Sequence, residues 1–308
     1  MNYIDWFVSI VLAVIMIAVG LSLSVQNFRD LAERPLRILV GMGLQLLLLP
    51  AIAFTAAYLS GLPPAFQVGI VILAATPGGM TSNFISFLLR ANTALAVSLT
   101  ICNSLITIFS VPFLVNLGLD IFYGELSIYQ LPFWGTAGRI FFIVLVPVAL
   151  GIGFRAWKPL TADRLQLNLR WISMFMLALV FMIKAFAPAA SGGSNLSTAE
   201  VLMILPVSLA VNFLALGLGR LISRSLGYDR NDQLTMGVEI GIQNTSLAFL
   251  IAGTVIGNQD MLKPALIYAT FSFFTAVLYG LWVKPEQWKH LRKEFQTLRR
   301  RVFRGNSD

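Results

Sequence analysis

The sequence predicts an all-α, polytopic membrane protein of about nine transmembrane helices, and three observations carry that expectation. Hydrophobic residues make up 57% of the 308 positions and charged residues only 12%, about half the charged share of a soluble domain. Apolar runs of about 17 to 25 residues recur along the whole chain, the length that crosses a hydrocarbon core about 30 Å thick as a helix. These runs do not alternate apolar with polar residues, as the strands of a membrane barrel must.

The first expected span, 5–24, follows an uncharged or acidic start from Met1 to Asp5. It ends in SLSVQNFRD without a small-residue cleavage site, so it reads as a retained helix rather than a signal peptide. Span 37–59 is apolar around a single amide, Gln45. Span 67–89 is interrupted in its middle by Pro77, Gly78 and Gly79, which remove a backbone donor and loosen the chain. Spans 93–117, 135–156, 171–188 and 201–221 follow. The eighth, 232–255, carries a second polar knot, GIQNTS, and 263–283 closes the series.

Loop charge gives the orientation. Arg29, Arg34, Arg37, Arg90, Arg155, Lys158, Arg164, Arg170, Arg220, Arg224 and Arg230 all fall in alternate loops, and the loops between them (SGLPPAF, NLGLDIFYGELS, APAASGGSNLSTAE) hold no Lys or Arg. The positive-inside rule then sets the N-terminus outside and the C-terminus in the cytoplasm of a cell, or inner, membrane. An odd number of helices requires the same. The net charge of +8 is thus a consequence of topology and calls for no nucleic-acid partner. Its largest block is the tail, 285–308, where Trp288, Leu291, Phe295, Leu298 and Val302 alternate at three and four residues. That pattern suits a basic amphipathic helix on anionic lipid, read first as a topology anchor and second as a regulatory or partner-binding element.

Enzyme chemistry finds little support. The chain has one cysteine, Cys102, inside a span, and one histidine, His290, in the tail; neither a Cys/His nucleophile pair nor a zinc site can be built. Paired carboxylates at membrane depth are also missing. Asn195 begins an Asn-Leu-Ser sequon in an outside loop, a match too short to carry weight.

Two halves of the chain look alike, 1–118 and 119–284. Each has an apolar approach, a Gly-containing polar knot at mid-span and a return to apolar residues, and each has an amide one helix earlier, Gln45 and Asn212. With five helices per repeat, the first half lacks its opening helix, which turns the halves opposite in the membrane. Paired interrupted helices in inverted repeats mark the site of a secondary transporter. Glu239 is the one acidic residue expected deep in a span, and around it stand neutral oxygens on Gln45, Thr81, Ser82, Asn83, Ser98, Thr100, Asn103, Gln243, Asn244 and Thr245. With no Arg, Lys or His expected deep enough to pair Glu239, a bound metal cation is the simplest counter-charge. A protonated Glu239 bonded to a neighbouring helix is the alternative. Half-helix N-termini at the breaks favour an anionic substrate.

The segments ATPGGMTSNFISFLLRANTALAVS and GVEIGIQNTSLA closely resemble the bile acid:sodium symporter family, and the likeness covers nearly the whole chain. The resemblance implies two broken helices crossing near the midplane, and a panel domain moving against a core domain. It implies two sodium sites, the first on Ser82, Asn83, Thr100 and Glu239, the second on Gln45, Glu239 and Gln243 with the carbonyls of Ile240 and Ile242. Asn244 would face substrate, with Met80, Thr81 and Thr245 beside it. Two departures stand out. Ala96 replaces a serine that many members place one turn before Thr100, which takes a hydroxyl from the first site and leaves Ser98 or Asn103 to make it up. Met80 replaces a threonine of many bacterial members. The function expected is sodium-coupled import of an organic anion, bile acid-like or a small carboxylate, by a monomer. The rival is a sodium-independent or proton-coupled exporter of the same superfamily, and a transport-dead sensor is a third reading.

Overall fold

The structure, a computed structural model, describes residues 3–23, 35–124, 129, 131–186 and 193–288. All regular structure among these residues is helical. We number the helices α1 (Tyr3–Ser22), α2 (Pro35–Leu59), α3 (Pro64–Ala75), α4 (Met80–Leu88), α5 (Thr93–Tyr123), α6 (Phe133–Trp157), α7 (Pro159–Phe186), α8 (Thr198–Ser225), α9 (Arg230–Gly241), α10 (Thr245–Phe249, continuing as π-helical Leu250–Ile256) and α11 (Lys263–Val283).

Apart from the two breaks and a few edge residues, the expected spans are helical where they are described. Among the described residues six helices, counting α9 with α10 as one, are long and apolar enough to cross a membrane. The pair α3 and α4, bent by 61°, makes a seventh. The expected spans 5–24 and 171–188 lie on α1 and α7. The sequence expectation placed the start of α7 at 171; it begins twelve residues earlier, because Pro159 opens a helix that runs through the polar TADRLQLNLR before the apolar stretch begins. The amphipathic pattern of the tail, His290 and the arginines at 29 and 34 lie outside the described residues.

Two groups of helices form the bundle. In the smaller, α1 packs along α6 and α7. Gly20 and Gly151 allow this, since a Cβ on either would enter the other helix's backbone. The larger group joins α2, α3, α5, α8, α9 and α11. Within it the broken segment α9–α10 is the most enclosed, 72% buried against 28% for α6, so its polar residues face protein rather than lipid. Two helices loosen into one π-helical turn, Leu44–Leu48 in α2 and Phe141–Leu145 in α6, each two residues ahead of a proline, Pro50 and Pro147. A proline cannot donate back along the helix, and a π turn is one way to absorb the missing bond.

Charges tie the larger group at both ends. At one, the fully buried Asp232 pairs with Arg37 and accepts from the Asn92 amide at 2.7 Å. The Lys284 ammonium donates to the Arg90 carbonyl and to Asn231, both at 2.8 Å; burial there lowers its pKa. At the other end Lys263 pairs with Glu200 (2.5 Å) and Asp260 (2.7 Å) and lies over the Phe66 ring. One expectation needs correction: a lysine does lie deep in the protein. Lys184 is fully buried, and its ammonium sits by Gly253 on the π-helical extension of α10.

Removing the carboxylate of Asp232 leaves Arg37 only the exposed Asp229, at 3.9 Å, whereas Asp260 is itself 56% exposed and its partner keeps Glu200 at 2.5 Å. Asp232→Ala should therefore destabilise by about 3 kcal/mol and Asp260→Ala by no more than about 1 kcal/mol. Thermal unfolding of the two purified variants checks the contrast, and equal shifts would contradict it.

Candidate functional site

The two breaks cross. After α3 the chain is extended at Thr76 and again at Gly79; after α9 it is extended at Ile242. Each break supplies what the other lacks, for the Asn244 N–H donates to the Pro77 carbonyl at 2.9 Å. Backbone opened at membrane depth must find such partners inside the protein. Gly78 makes the approach possible, since a Cβ there would land on the Glu239 carboxylate.

Two amides brace the crossing from the helices that precede each break. The Gln45 NH2 group donates to the Thr76 carbonyl (2.8 Å) and to Gln243 Oε1 (3.0 Å), and Gln243 in turn donates to the Ile240 carbonyl (2.7 Å). The π turn of α2 is where Gln45 sits. On the opposite side the Asn212 NH2 group donates to the Gly241 carbonyl (2.7 Å) and to the Tyr268 hydroxyl (2.9 Å), which itself donates to Gly241 at 2.6 Å. At both breaks, then, an amide one helix earlier holds the last carbonyl before the break.

Glu239 is 1% exposed. The Thr100 hydroxyl donates to its Oε1 at 2.7 Å and lies 3.3 Å from Asn83 Oδ1. At the start of α4 the Ser82 hydroxyl donates to the Gly79 carbonyl at 2.8 Å and accepts from the Gly79 N–H at 3.2 Å. What remains is a surplus of acceptors: Glu239 Oε2 and Gln45 Oε1 are buried and have no donor among the described residues. Buried acceptors without donors cost about 1–3 kcal/mol each, more when charged, and suit a hard cation that takes carboxylate, amide and carbonyl oxygens. Asn103, one turn beyond Thr100, is fully buried with both amide atoms unpartnered among the described residues; Ala96, two turns before it, is also buried and offers no oxygen.

Two cavities flank the crossing and share Met16, Gly79 and Asn244 as walls. One, of about 340 Å³, is lined mainly by apolar residues such as Val19, Phe141, Leu145 and Ile152. The other, of about 250 Å³, is lined by Met80, Thr81, Gln243, Asn244 and Thr245 among others. Asn244 accepts from the Leu247 N–H with its oxygen (3.1 Å), which leaves its NH2 group as the donor available to a ligand.

Residues 9–194, well over half of the chain, match the family described as the Sodium Bile acid symporter family. The chain belongs to that family. An uncharacterized sodium-dependent transporter, YocS, of Bacillus subtilis is 25% identical over 287 residues, 92% of this chain and 85% of its own. The mouse ileal sodium/bile acid cotransporter is 25% identical over 287 residues, 89% and 78% of the two chains. The probable sodium/metabolite cotransporter BASS3 of rice chloroplasts is 24% identical over 270 residues, 87% of this chain but 62% of its own longer one. This family member is accordingly a multi-pass membrane protein and a transporter of the sodium/bile acid or metabolite symporter type, not an enzyme.

Within this symporter fold, the residues that the resemblance assigned to the first sodium site come together: Thr100 touches both Glu239 and Asn83, with Ser82 beside them on α4. Those of the second assemble around Gln45, Gln243 and the Ile240 carbonyl; no hydrogen bond links them directly to Glu239 among the described residues. Asn244, Met80, Thr81 and Thr245 line one cavity together. Sequence reasoning passed over Tyr268 and the Thr76 carbonyl. A lone tyrosine and a backbone atom give no signal until a partner helix is in place.

Gly78→Ala should displace the Glu239 carboxylate and destabilise by about 1–3 kcal/mol. Gly79→Ala should stay within about 0.5 kcal/mol, because the atoms nearest to its Cβ are 3.8 Å away. Thermal melts of the pair make the comparison; a costlier Gly79 variant would refute this packing.

Proposed function

We propose that the chain is a sodium-coupled secondary symporter that imports an organic anion by alternating access. It acts as a monomer in the inner membrane, with its N-terminus outside and its C-terminus cytoplasmic. Two inverted half-repeats, 1–118 and 119–284, each contribute one broken helix. Sodium is held first by Ser82, Asn83, Thr100 and Glu239, and second by Gln45, Glu239 and Gln243 with the carbonyls of Ile240 and Ile242. Substrate takes Asn244, with Met80, Thr81 and Thr245 around it.

One observation carries this reading: Glu239 is buried at the crossing with one oxygen unpartnered among the described residues, and Gln45, which braces both breaks, has committed both of its N–H donors and keeps a second buried, bare acceptor. An acceptor pair of that kind calls for a cation, and the family's printed name and the relatives' names supply sodium. Two ions moving with one monovalent anion would transfer one net charge, worth about 2.3 kcal/mol per 100 mV of membrane potential. Ala96 weakens the first site by one hydroxyl; if only one ion moved, uptake of such an anion would be electroneutral.

Sodium titrated against potassium at fixed ionic strength should raise the melting temperature of the purified wild type. The stabilisation expected at a sodium concentration of 100 Kd is about 2.7 kcal/mol. In Glu239→Gln the sodium-selective rise should vanish. A rise that survives in the variant would refute the assignment of Glu239, and no rise in wild type would favour the proton-coupled exporter.

A further inference from the structure

The polar cavity beside the crossing has walls from both helix groups, and their chemistry differs. The larger group contributes Thr81, Gln243, Asn244, Thr245 and Ser246. From the smaller group come Ile15 and Met16 of α1 and a single polar residue, Ser173 of α7. Ser173 is 2% exposed, and its hydroxyl has no hydrogen-bond partner among the described residues. A serine within a helix can bond back to a carbonyl one turn earlier. This one does not, and a buried hydroxyl left unpaired costs about 1–3 kcal/mol. It stands across the cavity from the crossing, in a chain whose smaller group otherwise meets the ligand space with apolar side chains.

We propose that Ser173 is the substrate-binding residue of the smaller helix group and a determinant of specificity. Its hydroxyl takes an oxygen of the substrate that is distinct from the group held by Asn244. The substrate class that fits is an organic anion with a second hydrogen-bonding oxygen, hydroxyl or carbonyl, close to its charged group. Its apolar remainder enters the larger cavity, past Met16, which walls both spaces. A hydroxyl that both donates and accepts suits either oxygen. Such a contact also joins the two helix groups through the ligand, so that substrate binding depends on how the groups stand to each other. This inference rests on the symporter reading above, but the cavity it assigns to Ser173 can be tested apart from sodium.

The test places a thiol at the site. Ser173→Cys and, as control, Ser208→Cys are made in full-length chains carrying Cys102→Ala, which removes the one native thiol. Ser208, on α8, is as buried as Ser173 and also unpartnered, but it lines neither cavity. Both changes nearly conserve volume, so both variants should melt close to their parent. The probes are 2-sulfonatoethyl and 2-aminoethyl methanethiosulfonate, one anionic and one cationic, with intact-mass spectrometry of the purified protein as the readout.

Ser173→Cys should be modified at least about tenfold faster than Ser208→Cys, and the anionic probe should react about tenfold faster in sodium than in potassium, as a cleft focusing positive charge would cause. Equal rates at the two positions would overturn the assignment of Ser173 to the ligand cavity. A fast reaction that ignores sodium, in a protein whose wild type is stabilised by sodium, would overturn its place beside the ion-supported anion site. Should wild type show no sodium stabilisation at all, the sodium reading fails, and the ratio between the two cysteines still decides where Ser173 lies.

Discussion

A chain opened inside a membrane must satisfy its own backbone, and that constraint shapes the rest of this structure. Water is not at hand to take up the carbonyls and amides that Pro77, Gly78 and Gly79 release from one helix, or those that Ile242 to Asn244 release from the other. The answer here is mutual: the Asn244 amide binds the Pro77 carbonyl, and the amides of Gln45 and Asn212 reach in from neighbouring helices to the carbonyls at Thr76 and Gly241. The close approach forces small residues at the crossing. Gly78 lies against Glu239 because nothing larger fits.

Satisfying the backbone in this way uses up donors and leaves acceptors. Gln45 gives both N–H groups to the breaks, Gln243 gives its NH2 group to Ile240, and Thr100 gives its proton to one Glu239 oxygen. The residual oxygens of Gln45 and Glu239 are then left buried with no donor among the described residues. In this account the cation site and the substrate site are joined by construction. The crossing that exposes acceptors on one side presents Asn244 to the cavities on the other, and an ion that neutralises Glu239 also makes the neighbourhood hospitable to an anion.

Much of this was legible in the sequence. Apolar length located the spans, the Pro-Gly-Gly and GIQNTS knots located the breaks, and the spacing of Gln45 and Asn212 anticipated their matching roles. The rest was hidden for identifiable reasons. Hydropathy alone cannot see that TADRLQLNLR is helical, so α7 was expected to start late. Asp232 reads as a charged helix start, and only the folded bundle shows it fully buried between Arg37 and Asn92. Lys184 sits in an apolar run whose outer face and inner face look alike until α10 packs on it. Ser173 is one hydroxyl in a long helix; its meaning comes from the cavity it borders.

The most direct measurement is equilibrium binding of radioactive sodium to the purified protein in excess potassium, in wild type and in a variant whose Glu239 is replaced by glutamine. The account predicts a saturable sodium component that potassium does not displace and that the substitution removes, because the shared carboxylate is the charge that holds the ion. Saturable binding that persists unchanged without Glu239 would contradict it.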